Sequence, residues 1–273
     1  MVSVSGLARA CMLLLAVVAS GCLTSNNNVG LAIESFSSLP TVGPGQAASF
    51  QVSLTNAGGQ DAQVEDIKIY GLESWEALPG TCRPGMIIRP GLRQTCKLEF
   101  RAPELAGSLQ NSYAPKLSVT YRYKATAIKW LIAGEPADLA GLEPSRLEAR
   151  SAATAGPLQI TISLRSPVLL SSAAATVPVR VDVANSGDGI VCDGGCSAAT
   201  WNRVSITVSG DGVNIAECAS KALDLYKGKS NSAICMASIT AAQPGATQRR
   251  IEANADYGYI TEKVAAIAVS NKV

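Results

Sequence analysis

Phe50-Gln51-Val52-Ser53-Leu54-Thr55-Asn56-Ala57-Gly58 is the stretch that decides the fold. In an extended chain side chains alternate between faces, so Phe50, Val52 and Leu54 share one side while Gln51, Ser53 and Thr55 share the other. One face is apolar and one is wet, and Asn-x-Gly ends the run with turn chemistry. Working outward, the same period of two recurs in Cys96, Leu98 and Phe100 against Lys97, Glu99 and Arg101. It recurs again in Leu158, Ile160, Ile162 and Leu164, in Val179, Val181 and Val183, and in Val204, Ile206 and Val208. Short, half-wet strands separated by Gly, Pro and Asn predict an all-β protein built of antiparallel sandwiches.

The chain also resembles itself. Val179-Arg-Val-Asp-Val-Ala-Asn-Ser-Gly187 parallels the opening stretch, and Arg203-Val-Ser-Ile-Thr-Val-Ser-Gly210 parallels Val64-Glu-Asp-Ile-Lys-Ile-Tyr-Gly71. Ser232-Ala-Ile-Cys235 parallels Arg93-Gln-Thr-Cys96, and Tyr257-Gly-Tyr259 parallels Tyr121-Arg-Tyr123. Asn56 and Asn185 lie 129 residues apart and the two Tyr-x-Tyr motifs 136 apart, with the extra length largely around Cys192-Asp-Gly-Gly-Cys196. The same features in the same order predict a tandem duplication, with one sandwich over 30–134 and a second over 157–273. Each half has enough apolar alternation for a core of its own and is expected to fold alone. Residues 135–156, rich in Ala, Glu and Arg, form the linker. Leu139, Leu142 and Leu147 mark a short helix there, interrupted by Pro144; a plain linker is the alternative.

Composition narrows the function classes. The 273 residues carry 23 Lys and Arg against 21 Asp and Glu, a net charge of +2, which argues against nucleic acid as a partner. There is no His, which removes Ser-His-Asp and Cys-His nucleophilic sites, HExxH zinc sites and His-ligated haem. No Ser-x-x-Lys motif stands after residue 22, no Gly-rich phosphate loop follows a strand, and no cofactor is expected. Aromatics are only 5% of the chain, which argues against a broad stacking platform.

Residues 1–21 have the form of a secretory signal: Arg9, then the apolar run Cys11 to Ala19, then Ser20-Gly21. The run is shorter than the roughly 20 apolar residues of a membrane-spanning helix. Ala19-Ser20-Gly21-Cys22 resembles the lipobox of bacterial lipoproteins, although that family usually has Leu where Ala19 stands. The resemblance implies a diacylglyceryl group on Cys22, which becomes the first residue of an exported, membrane-anchored protein. A signal peptide cut near Gly21 without lipid is the alternative. Cysteine parity favours the lipid: of eight cysteines Cys11 leaves with the signal, and seven cannot all pair in an oxidising space. Residues 22–29, polar and without periodicity, read as a tether to the membrane.

Val52-Ser-Leu54-Thr-Asn56-Ala-Gly58 and Val181-Asp-Val183-Ala-Asn185-Ser-Gly187 carry a second resemblance. The pattern is similar to the turn after a core strand in immunoglobulin-like domains of bacterial and archaeal surfaces, the CARDB-like group among them. It implies sandwiches of about seven strands and an adhesive or spacer role. It carries over no catalytic residue.

If Cys22 carries lipid, six thiols remain. The duplication pairs Cys82 with Cys96 and Cys218 with Cys235, since each pair sits after and within equivalent strands, and leaves Cys192 to Cys196. The alternative, one zinc held by Cys192, Cys196, Cys218 and Cys235, lacks the close spacing of a zinc ribbon in its second pair. Asp188 and Asp193 lie on a tight Gly-rich loop that suits either a calcium ion or a disulfide-pinned turn. Arg89, Arg93, Lys97 and Arg101, with Arg83 nearby, form a basic group suited to an anionic glycan or lipid headgroup, or else a solvated strand face. Tyr121 and Tyr123, followed by Lys129 and Trp130 on a next strand, read as core aromatics whose hydroxyls bond to backbone. Glu73 and Glu76 flank Trp75, but acid–base work needs two carboxylates across a cleft.

These features together predict a lipid-anchored extracytoplasmic protein that binds, adheres or spaces without catalysis. Its direct partners are the membrane, through Cys22, and a protein or glycan. A structural subunit of a secretion, pilus or envelope assembly is the alternative, and a small Ser/Lys hydrolase a third.

Overall fold

The computed structural model describes residues 30–105, 110–171, 174–240 and 245–271. The chain is nearly all β, with 61% strand and 5% helix. The first half contributes β1 (Leu31–Ser37), β2 (Thr41–Val42), β3 (Ala47–Asn56), β4 (Ala62–Tyr70), β5 (Glu76–Leu78), β6 (Ile87–Ile88), β7 (Arg93–Arg101), β8 (Gln110–Tyr113) and β9 (Lys116–Gly134). The rest contributes β10 (Ser151–Ala153), β11 (Leu158–Ser163), β12 (Val168–Leu169), β13 (Ala174–Asn185), β14 (Ile190–Cys192), β15 (Arg203–Asp211), β16 (Val213–Asn214), β17 (Lys221–Asp224), β18 (Ser230–Thr240), β19 (Thr247–Val264) and β20 (Ile267–Ser270).

The stretch that opened the sequence reading is β3, the second strand in a four-stranded sheet ordered β1-β3-β7-β5. Phe50, Val52 and Leu54 are fully buried, each worth about 1.5–3 kcal/mol relative to exposure. The second half repeats the order as β11-β13-β18-β16. In each half the Asn-x-Gly strand lies between the half's first strand and the strand carrying a disulfide cysteine. A strand of two or three residues closes the edge.

The halves meet differently from two sandwiches on a linker. Their remaining strands form one nine-stranded sheet, ordered β17-β15-β19-β9-β4-β6 with β10, β12 and β14 attached. Its centre is β9 against β19, antiparallel and continuous from Thr247↔Ala133 to Val264↔Lys116. Each half's long last strand occupies the edge that the other half leaves open, so the seam is a ladder of backbone hydrogen bonds. The buried apolar side chains of both halves make one continuous core. β20 adds a clasp, pairing with β2 and β8 of the first half.

The linker folds against this sheet. Residues Pro136–Ala140 and Pro144–Leu147 form two short helices, with Pro144 opening the second, where its missing N–H is no loss. Ser151–Ala153 then pairs with Lys129–Ala127 of β9. One sequence expectation is corrected here: Lys129 and Trp130 lie on the same strand as Tyr121 and Tyr123, without a turn between them. β19 runs beside that strand for its whole length and satisfies its backbone, so no reversal is needed.

Both four-stranded sheets cover the same face of the shared sheet. Odd-numbered side chains of β9 and β19, from Leu117 to Ala127 and from Ile251 to Tyr259, are buried there. Even-numbered side chains, Lys116 to Lys124 and Asp256 to Glu262, therefore line the opposite, open face.

Candidate functional site

Two matching hydrogen-bond networks hold the shared sheet in place. Asn56 is fully buried and its amide donates to the Gln60 and Ile88 carbonyls at 2.7 and 2.8 Å. Its Oδ1 accepts from the Gly58 N–H at 3.0 Å and faces the Tyr123 hydroxyl at 3.4 Å. In the second half the Asn185 amide donates to the Gly189 and Gly228 carbonyls at 3.0 and 3.1 Å. Its Oδ1 accepts from the Gly187 N–H at 3.2 Å and from the Tyr259 hydroxyl at 3.1 Å. The first tyrosine of each motif accepts a bond from the strand above it: Leu31 N–H to Tyr121 at 3.3 Å, Leu158 N–H to Tyr257 at 3.2 Å. The motif glycines are needed for this approach. A Cβ on Gly58 would lie 1.9 Å from the Tyr123 hydroxyl, and one on Gly187 2.2 Å from that of Tyr259.

The four tyrosines meet across the seam, with ring centroids 5.5 Å apart for Tyr121 and Tyr259 and 6.2 Å for Tyr123 and Tyr257. Burial disfavours the phenolate, so all four phenols are pushed up: Tyr259 to about 12, Tyr121 well above its ordinary value, Tyr123 and Tyr257 also upward. They are structural, neutral groups.

The open face is charged but internally neutralised. Lys68 pairs with Asp66, Lys116 with Glu262 at 3.0 Å, and Arg122 with Glu65 at 3.2 Å and Asp256 at 3.8 Å. Three rows cross it: Asp66, Thr120, Ile260 and Ile190; then Lys68, Ser118 and Glu262; then Tyr70, Lys116 and Val264. Over one side stands the insertion around Cys192-Asp-Gly-Gly-Cys196. Its loop descends onto Gly258, the register partner of Arg122: a Cβ there would lie 2.7 Å from Cys196 Sγ and 2.8 Å from the Gly194 carbonyl. The loop thereby walls a groove of about 610 Å³, with Trp201 on its rim and Tyr70 among its lining residues. On the other side of the Arg122 row the linker walls a smaller groove, about 400 Å³, beside Trp130.

The residues singled out from sequence are scattered over the molecule. The cysteines join as Cys82–Cys96, Cys192–Cys196 and Cys218–Cys235. Arg93 pairs with Glu34, whose carboxyl is held below its ordinary value by that contact, and Arg101 bonds Glu76 at 2.6 Å. Lys97 is exposed on β7 beside Arg93 and Arg101, whereas Arg89 is exposed on the turn before that strand. The basic group is thus a strand face partly neutralised by its neighbours plus a separate turn residue, and none of the four lines either groove. Asp193 is occupied by Ser205, accepting from its N–H at 3.2 Å and its hydroxyl at 2.8 Å. Asp188 lines a different, smaller pocket, and no group of three metal-ligating side chains occurs among the described residues. Glu73 accepts the Gly71 N–H at 2.9 Å, which holds its carboxyl below the ordinary range, and Trp75 between the two glutamates is buried against Tyr113. Cys22, the signal residues and the tether lie outside the described residues.

Sequence reasoning missed Tyr70, Lys116, Trp201 and Glu262, the residues of the larger groove. One signal was available: Trp201 is a large aromatic in a polar, Gly-rich insertion where no core position calls for one.

No family model matches the chain, and no curated protein matches it. Solved structures do match, among them the secreted serine protease VesC from Vibrio cholerae, at 12% identity and a TM-score of 0.23. The alignment covers 88% of this chain and 51% of that one, so the chain spans about half of that protein's length. A likeness of this size carries no argument about fold or activity.

Proposed function

We propose that the chain is a lipid-anchored, extracytoplasmic binding protein that presents the open face of its shared sheet to a partner and performs no catalysis. The observation that carries the location is the cysteine ledger. Three disulfides consume every cysteine beyond residue 22 and leave Cys22 as the odd thiol, directly after an apolar run. Disulfides persist in oxidising compartments, which supports export. No helix among the described residues is long and apolar enough to cross a membrane, so a lipid on Cys22 would be the means of attachment by this reading. Stable anchoring takes two acyl chains or more, as a diacylglyceryl group supplies.

Binding is supported by a walled groove on a rigid sheet, in the size range of ligand sites. The carboxylates that the sequence offered for acid–base work, Glu73 and Glu76, are tied to the Gly71 backbone and to Arg101, and those lining the groove, Asp66 and Glu262, are paired with Lys68 and Lys116. A general acid needs a raised pKa, and Glu73 is shifted the other way. The duplication inferred from sequence belongs to the same reading: one binding scaffold made by joining two copies of a half-sheet.

The test is fractionation of the full chain in a lipoprotein-processing bacterium. The wild type should partition with membranes and yield an acylated first peptide beginning at Cys22, and Cys22→Ser should move to the soluble fraction. A soluble wild type with an unmodified first peptide overturns the anchor.

A further inference from the structure

We infer that the groove between Tyr70 and Trp201 is a subsite for an uncharged oligosaccharide. This rests on the open face being the binding surface and goes further by naming the ligand class. Two large aromatic rings line it: Trp201 on the rim and Tyr70 on the sheet, with Lys116 Nζ 5.7 Å from the Tyr70 ring centroid; each residue is 47% exposed although both belong to ordered, hydrogen-bonded segments. Trp201 is held in place. It bridges to Cys192, and its neighbour Asn202, in the left-handed region at φ 59°, donates to the Val191 carbonyl at 2.7 Å and accepts from the Leu225 N–H at 2.6 Å. A side chain carried on a backbone fixed in this way requires no loop ordering on binding.

The floor decides the charge of the occupant. Lys68 and Lys116 are paired with Asp66 and Glu262, so among the described residues lining the groove an anionic glycan, phosphate or nucleic acid meets no unpaired cation. The paired carboxylates still have unused lone pairs and accept hydroxyl donors, and Thr120 adds a hydroxyl beside them. A sugar ring has one apolar C–H face and a rim of hydroxyls, and those two features match an aromatic wall above a carboxylate floor. An extended peptide would seek a free strand edge for backbone bonds. Inside the floor Asp66–Tyr70 is paired to β9, β9 to β19, and β19 at Ile260 to β14; a bare edge remains on the outer side of Asp66–Tyr70, beyond the Ala62–Gln63 pairing with β6, and the peptide probes below test it.

The experiment uses the full chain in detergent on an array of disaccharides to hexasaccharides of β1,4-linked glucose, mannose and N-acetylglucosamine and α1,4-linked glucose. Sulfated heparin oligosaccharides and a peptide library are printed alongside. The expected result is capture by at least one uncharged series, insensitive to salt and weakened about tenfold or more by Trp201→Ala. Trp130→Ala, in the other groove, should leave it unchanged. Trp201 is exposed, and an unchanged melting temperature confirms that the variant folds. Capture by heparin alone with a steep salt dependence overturns the uncharged ligand. Peptide capture alone, abolished by Trp201→Ala, overturns the sugar while upholding the open face as the binding surface. Absence of capture by every probe, or capture unaffected by both Trp201→Ala and Tyr70→Ala, overturns the subsite.

Discussion

The two halves solve the same local problem identically and then diverge at the seam. Asn56 with Tyr121 and Tyr123, and Asn185 with Tyr257 and Tyr259, make the same bonds to the same kinds of partner. Arg122 and Gly258 then face each other at the register centre of the two motifs, one a charged side chain paired with two carboxylates, Glu65 and Asp256, the other a bare backbone under a disulfide loop. The lesson is a division of labour. Buried polar bonding is the same in both halves because a lost partner in a core is costly. The open side carries no such constraint, and there the second half has a loop that turns a flat sheet into a groove.

The comparison breaks most completely if the halves are separated. Residues 30–134 or 157–273 alone would leave a strand of 19 or 18 residues with a bare edge and half of a common core. Each is expected to aggregate or self-pair, while the two co-expressed should assemble. Cooperative unfolding of isolated monomeric halves, followed by circular dichroism, would show that the seam is dispensable.

Next in size are the disulfides. In the chain-entropy model, loops of 17 and 14 residues stabilise by about 3 kcal/mol each, and the loop of 4 by about 2 kcal/mol. Denaturant melts of the three Cys-to-Ser pairs should rank in that order. The Cys192–Cys196 pair should also lose the groove wall, visible as a change in Trp201 fluorescence.

The matched networks predict matched costs. Asn56→Ala and Asn185→Ala should each cost about 2 kcal/mol, and Tyr123→Phe and Tyr259→Phe about 1 kcal/mol. A large cost in one half with none in the other would disprove their equivalence.

The last effect is absent at neutral pH and enters only under alkaline conditions. Unfolded phenols ionise near pH 10, whereas Tyr259 holds its proton to about 12 and the other three are also shifted upward. Above pH 10 the unfolded chain therefore binds fewer protons than the folded one, and stability falls as pH rises. A fully buried phenol contributes at most about 1.4 kcal/mol per pH unit between pH 10 and its folded value, the partly solvated Tyr123 less, and none contributes below pH 10. Melting temperatures across this window, compared with Tyr259→Phe, give the contribution of that phenol.

The strands and their order were legible because alternation depends only on neighbouring residues. Disulfide partners were legible too, although the matched strands hide a slip. Cys96 lies opposite Val52, while Cys235 lies opposite Val179, the counterpart of Phe50, so the second cysteine sits one side-chain repeat further along. Both positions face the core, and alternation alone cannot tell them apart. The seam was not legible. Burial of Tyr121 or Ala255 looks the same whether the neighbouring strand is near or distant in sequence. Asn254, Asp256 and Gly258 also give β19 the composition of a turn. The missing clue lay in β9, where Lys116 to Ala133 contains no Gly, Pro, Asn or Asp to reverse the chain. The groove needed the seam first, since its floor is assembled from both halves.

The ladder between β9 and β19 also sets a clock. Its first rung joins Ala133 to Thr247, 114 residues later, and its last joins Lys116 to Val264, 148 residues later. As the chain emerges from its amino end, the first half finishes its own four-stranded sheet and the β4–β9 pairing early but waits for nearly all the remaining polypeptide before the other edge of its long strand is covered. Such distant pairings form slowly, and the waiting edge is a template for any other strand nearby. The polar alternation on its open side, Lys116, Arg122 and Lys124 among it, places charge along that edge during the interval when the nascent molecule is most exposed to its neighbours.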